Sequence, residues 1–227
     1  MGYYFKIICE LCSPLCGNAP RLDALIVSEL IFKQKLCKAG EKLSKGDHIS
    51  KFKIPSVPLY SEQYNDIPLY HVSDPICFIN FEFREDFCCH IEPELYYFLA
   101  ENERRSISSV SGEYKDTRLP LRLKNINKVV WFCRGTKDSV LEILQNNIFS
   151  IGSMRKQGFG VISSWKAEDV DEDYSFYAEK KDEKVLMKTL PKSFVDKENI
   201  IGYSIQYGAC SPPYWHPGRF MNVAVPV

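Results

Sequence analysis

An excess of charge of either sign is missing from this sequence. Its 29 Lys and Arg face 29 Asp and Glu, for a formal net charge of zero. That balance excludes a bulk polycation of the histone or ribosomal-tail type, but not a local basic face, because net charge is only a sum. Long apolar runs are also missing, so no segment can span a bilayer as a helix. Met1 to Lys6 show no cleavable signal pattern, and Phe5 and Lys6 spoil the myristoylation pattern that Gly2 begins. The expectation is a soluble, cytoplasmic protein with no membrane partner. No internal repeat and no low-complexity tract occurs.

Motifs that announce a cofactor or a familiar hydrolase are absent too. No Lys-Ser/Thr follows the glycine spacing of a P-loop, and no glycine fingerprint lies between a strand and a following helix. No Ser-His-Asp order, metal-hydrolase motif, kinase signature, helix-turn-helix or zinc-finger pattern is present. No cofactor is expected.

What is present supports one large domain, or one domain with sizeable insertions, rather than a string of modules. The 227 residues are 45% apolar and include 13 Tyr, 14 Phe and 3 Trp, enough for a real core. Nine cysteines are an odd number, and reduced thiols are the default without a signal peptide. Cys9, Cys12 and Cys16, with Cys88, Cys89 or His90, could form a zinc site. However, Cys9 and Cys12 fall on a strand-like segment, where three residues apart means opposite faces. Buried, inert thiols are the preferred reading, and no metal site is assigned.

Tyr3 to Cys12 reads as a first strand. A helix follows to about Leu36, with Asn18 as cap candidate, Pro20 in its first turn, and Leu22, Leu25, Ile26 and Leu30 at helical spacing. Ile49 to Tyr60 is the candidate second strand. Ile67 to Phe87 holds one or two strand-like runs, Pro93 to Glu101 a short helix, and Leu119 to Leu123 a short strand. Asn127 to Cys133 is a buried strand. Ser139 to Glu142 then fits a capping box opening a second helix, and Val161 to Trp165 is a further strand. One more strand is expected around Ile200 to Tyr207. This order, β, α, β, insertion, β, α, β, is the split βαβ or ferredoxin-like (RRM-like) α+β arrangement. We divide the chain into a core of residues 1–60 and 126–170, an insertion at 61–125 and a β-rich C-terminal extension at 171–227.

The segment Ile151-Gly152-Ser153-Met154-Arg155-Lys156-Gln157-Gly158-Phe159-Gly160 follows a helix and opens a strand. The helix end facing it has the wrong partial charge for an anion. A phosphate bound there would rely on backbone N–H groups and on Arg155 and Lys156. Gly158 and Gly160 allow close backbone approach, and Phe159 can stack on a base or pack inward. An ordinary helix-to-strand turn is the alternative.

Charge is also unevenly spread. Residues 104–137 carry nine basic residues against two acidic ones, a net of +7, and residues 166–183 carry three against eight, a net of −5. Interleaved aromatics and cations suit single-stranded RNA better than duplex DNA. Lys115, Arg118, Arg122, Arg155 and Lys156 are the candidate phosphate contacts, with Gly158, Phe159 and Gly160.

A Gly-rich loop at this place in a ferredoxin-like unit resembles the repeat-associated RNA-binding (RAMP) superfamily of CRISPR systems. Arg21-Leu22-Asp23-Ala24-Leu25, Ser111-Gly112-Glu113-Tyr114-Lys115 and Pro212-Pro213-Tyr214-Trp215 resemble segments of the type IV handle-capping subunit. The resemblance implies an antiviral-defence protein that binds guide (CRISPR) RNA, caps its 5′ handle and docks on a repeating backbone subunit. The large subunit and target DNA are further implied contacts, and the insertion at 61–125 would act as a thumb.

The alternative is a metal-independent endoribonuclease that makes the handle. His48 would be its base, with Tyr114 or Lys115 as helpers. A surface histidine beside Asp47 is the preferred reading of His48, so no catalytic residue is assigned. His216 reads as packing, and His71 and His90 show no constellation in sequence.

Overall fold

The computed structural model describes residues 3–37, 56–89, 116–180 and 183–227. Its fold is mixed α/β, dominated by antiparallel strands with few helices. β1 (Tyr3–Leu11) alternates simply: Phe5, Ile7 and Cys9 are fully buried on one face, and Lys6 and Glu10 lie on the other. β2 (Leu15–Cys16) and α1 (Leu22–Cys37) follow. β3 (Ser61–Tyr64) and β4 (Ile67–Tyr70) form a hairpin whose turn, Asn65-Asp66, has positive φ at both positions, the twist-matched two-residue connection. β5 (Ile76–Cys89) and the 19-residue β6 (Thr117–Gly135) are the longest strands. α2 (Lys137–Asn147) leads through the Gly-rich loop to β7 (Ile162–Asp169).

The main sheet runs β5-β6-β1-β7, with every neighbour antiparallel. β2 continues along the edge of β6 where β1 ends, pairing Leu15 with Lys124 and Cys16 with Leu123. α1 and α2 pack on one face. Leu22, Ile26, Val140 and Leu144 meet Phe5, Ile7, Val129, Trp131 and Trp165 in one buried cluster. The two tryptophans fix the helices polar end first. Trp131 Nε1 donates to Pro20 O (3.2 Å) just ahead of α1, and Trp165 Nε1 donates to Ile148 O (3.0 Å) just after α2. Each indole thus buries its ring and satisfies its only donor.

The remaining chain builds a second cluster around Leu69, Phe176, Leu186, Leu190, Val195 and Val223. It comprises β8 (Tyr177–Lys180), β9 (Glu183–Leu186), β10 (Leu190–Pro191), α3 (Lys192–Lys197), β11 (Tyr203–Ala209) and β12 (Phe220–Pro226), with a sheet ordered β10-β12-β11. No helix among the described residues is long and apolar enough to cross a membrane.

Three local expectations change. Asn18 does not cap α1: its Oδ1 accepts from Lys124 Nζ (3.2 Å), and the first helical bond runs from Leu25 N to Arg21 O (3.2 Å). α2 starts at Lys137, so Ser139 lies inside its first turn, and Thr136 holds the cap position without a side-chain bond. Of the expected strand Ile49 to Tyr60, residues 49–55 lie outside the described residues; 56–60 form no strand but join the end of β6 through the bridge of Leu59 to Gly135 and the bond from Tyr60 N to Arg134 O (2.8 Å), and the strand beside β6 is β5. The expected helix at Pro93 to Glu101 lies outside the described residues.

Candidate nucleic-acid interface

The Gly-rich loop is a closed hairpin. Ile162 N donates to Phe149 O (3.0 Å), Ile151 N to Gly160 O (2.9 Å), and Ser150 bridges Val161. Its flank is fastened to the segment after β1: Ser153 N donates to Cys16 O (2.9 Å) and Gly160 N to Pro14 O (2.8 Å). The tip is a single 3₁₀ turn, Arg155–Gln157, between Met154 and Gly158, both left-handed (φ 55° and 88°).

This architecture separates the glycines by role. A Cβ on Gly160 would lie 1.9 Å from Ile151 O, and its φ is +64°, so only glycine lets the two loop strands close. Gly158 has open space around it and owes its place to φ alone. The N–H groups of Ser153, Gln157, Gly158 and Gly160 all donate to carbonyls of the chain itself. An anion at this loop therefore has Arg155 and Lys156, both exposed, as its charged partners. Phe159 is half-buried.

The bridge Ser153–Cys16 extends the sheet into a row: Ser153, Cys16, Leu123, Phe83. Two strand spacings, about 10 Å, separate the loop from β6. Beyond this row β6 has β5 as its strand partner, and residues 84–89 with 117–122 project as a two-stranded arm. One face of the arm carries charge at every second residue. Glu82 stands opposite Lys124 (3.9 Å), and Arg118 Nε donates to Asp86 (3.0 Å). Between them Arg84 lies opposite Arg122. The other face sets Phe83 and Phe87 opposite Leu123 and Leu119, with Glu85 opposite Leu121 between them.

Of the sequence-predicted contacts, Arg122, Arg155 and Lys156 are thus exposed near one end of the sheet. Arg118 is on the same arm but engaged by Asp86, which holds its guanidinium above its ordinary pKa through their hydrogen bond. Lys115, Tyr114, His48 and His90 lie outside the described residues. Arg84 was missed because an isolated arginine in an acidic-aromatic run gives no signal until strand register is known.

The cysteines fall as strand alternation requires. Cys9 is buried and its thiol is pushed far up by desolvation, whereas Cys12 is exposed. Among the described residues, no group of three His, Cys, Asp or Glu side chains is placed to hold a metal ion.

His71 does have a constellation, contrary to the reading of the sequence. Its Nδ1 lies 3.1 Å from Ser175 Oγ and 3.3 Å from Asp173, Glu62 is 3.8 Å from Nε2, and its ring stacks on Phe176 at 4.1 Å. Burial raises the pKa of Asp173, but hydrogen bonds from His71 and Ser175 outweigh it and leave the carboxyl below its ordinary value. With its side chain only 10% exposed, His71 joins β4 to the segment ahead of β8. His216 is buried, as expected, and its Nδ1 accepts from Gly218 N (3.1 Å).

The segments at residues 21–25 and 212–215 meet in space. Asp23, fully buried, accepts from Tyr214 Oη (2.7 Å) and pairs with the equally buried Lys188 (3.2 Å). Arg21 donates to Ala209 O (2.8 Å), pairs with Asp74 (3.0 Å) and lies over the Tyr214 ring at 4.7 Å. These segments form an internal clamp between the start of α1 and the C-terminal module. A separate cleft of about 740 Å³ opens at the far end of β1, where Lys137 is already engaged by Asp169 (2.7 Å).

The fold is a mixed α/β protein dominated by antiparallel strands, and it exposes Arg84, Arg118, Arg122, Arg155 and Lys156 on the β5–β6 arm and the Gly-rich loop. The family model of the CRISPR type IV associated protein Csf3 matches residues 82–226, more than half of the chain, and the chain belongs to that family. The matched stretch takes in the arm, the Gly-rich loop and the C-terminal module. No curated protein matches the chain.

Proposed function

We propose that this protein binds guide RNA in a type IV CRISPR complex and caps the RNA's 5′ handle. The family membership supports the setting. The β5-β6-β1-β7 order, with helices between β1 and β5 and between β6 and β7, supports reading the core as a ferredoxin-like RAMP unit. On that reading β1, α1, β5, β6, α2 and β7 make the core, so the division expected at residues 1–60 and 126–170 widens to take in β5 and all of β6; the projecting β5–β6 arm within 61–125 serves as the thumb and 171–227 as the C-terminal extension. The neighbouring subunits of the complex, first of all a repeating backbone subunit, would supply further positive surface.

One observation carries the proposal: the loop presents Arg155 and Lys156 to solvent at its tip, and its flank at Ser153 lies about two strand spacings from Leu123 at the base of a cationic arm. A phosphate backbone can follow such a line of cations without a groove for duplex DNA. The test is fluorescence anisotropy with single-stranded RNA of a type IV CRISPR repeat. Arg155→Glu with Lys156→Glu is expected to weaken binding at least about tenfold and to flatten its salt dependence. Unchanged affinity would refute the role of the loop. Cleavage of the repeat RNA by wild type, lost in His48→Ala, would replace capping with processing.

A further inference from the structure

We propose that the Arg84–Arg122 rung of the β5–β6 arm is a phosphate-binding seat for that RNA. The inference rests on the RNA-binding reading above and adds Arg84 to it, joined with the already expected Arg122 in one two-arginine seat. Arg84 and Arg122 are direct antiparallel partners, so their Cα atoms are about 4.5–5.5 Å apart. Like charges directly opposite on one sheet face repel.

The neighbouring cations on this face are compensated. Lys124 has Glu82 and Asn18, and Arg118 has Asp86. Both rung arginines are exposed, and neither has an ion-pair partner among the described residues. Among the described residues the rung is therefore the uncompensated +2 of the arm, placed between two neutralised pairs. An anion seated across it converts a repulsive contact into two charge-assisted bonds, and two guanidinium forks match the non-bridging oxygens of a phosphodiester.

The location fits a continuous strand. Arg122 immediately precedes Leu123, the residue whose row leads through Cys16 to Ser153 and so to the Arg155–Lys156 turn. An RNA backbone held at the loop tip thus reaches the rung within a few nucleotides.

The test uses the full chain and the same repeat-derived single-stranded RNA. Arg84→Ala with Arg122→Ala is expected to weaken binding about tenfold and to reduce the slope of log K against log salt by about 0.7, the value for one phosphate contact. Its melting temperature should stay level or rise, because a repulsion has been removed. Lys184→Ala with Lys192→Ala removes two cations from the C-terminal module and should leave binding within about twofold, since the module lies off the RNA path. Should the double rung variant fail to fold, Arg84→Gln carries the test, with a loss of about threefold expected. If the rung variant binds like wild type, or the control loses as much, the seat is refuted. A melting temperature that drops as affinity drops refutes it also, by making the rung structural. Failure of wild type itself to bind the RNA would instead refute the reading on which the inference rests.

Discussion

Asp23 is the residue whose removal should damage this protein most for its size. Its carboxylate is fully buried in the first turn of α1, and Lys188 beside it is 1% exposed. Three groups converge on it: Lys188 Nζ (3.2 Å), Tyr214 Oη (2.7 Å) and Ala24 N (2.8 Å). In Asp23→Ala the ammonium of Lys188 keeps Val72 O (3.1 Å) but loses its counter-charge. Breaking a buried pair from one side costs about 3–5 kcal/mol, because an uncompensated charge stays in the interior. For a chain of this size that corresponds to roughly a 10 °C fall in melting temperature. Urea unfolding of wild type and Asp23→Ala measures the loss. Asp23→Leu with Lys188→Met, which removes both charges, should be less destabilised than Asp23→Ala. A loss below about 1 kcal/mol in Asp23→Ala, or a double variant as unstable as the sum of its singles, would refute the clamp.

The other two predictions also concern the joints of the fold. Gly158→Ala must accept φ +88° in open space and should cost about 1–2 kcal/mol, whereas Gly160→Ala also drives a Cβ into Ile151 O and should cost clearly more in thermal melting; equal losses would mean that the loop closes differently. Asp173, whose pKa is lowered in the folded state, contributes stability that is complete above the unfolded carboxyl value near 4 and is lost as pH falls through its folded value. Asp173→Asn should therefore flatten the acid side of the stability-against-pH curve below about pH 4, and a curve parallel to wild type would remove the His71–Asp173 joint from the account.

What could be read from the sequence followed from local period. β1 and the buried half of β6 alternate or run apolar, and α1 and α2 repeat every three to four residues. Register carried the rest. β5 mixes Phe, Glu, Arg and Asp in alternation, which reads equally as strand or loop until Lys124, Arg122 and Arg118 are found across from it. The two capping expectations failed for different reasons: the remote Lys124 took Asn18 as its partner, and α2 starts at Lys137, which puts Ser139 inside its first turn. The Arg155–Lys156 tip was legible, since a glycine on each side of a short polar run marks an exposed turn.

The clamp also changes what the family-like segments mean. Arg21, Asp23 and Tyr214 stand in segments singled out by resemblance alone, with no role attached. In the fold they are engaged by one another and by Lys188, Asp74 and Ala209. Their chemistry is spent inside the chain, where a mispaired charge would cost several kcal/mol. That cost makes the docking of the C-terminal module selective, because only the alignment that brings Lys188 and Tyr214 onto Asp23 neutralises the site. The module is consequently fixed relative to α1, and α1 is fixed by Trp131 to β6, the strand that carries the arm. The loop tip is tied to the same strand through β2. β6 therefore holds the spacing between Arg155, Lys156 and the Arg84–Arg122 rung, and a surface with no bulk excess of charge presents its cations at set intervals.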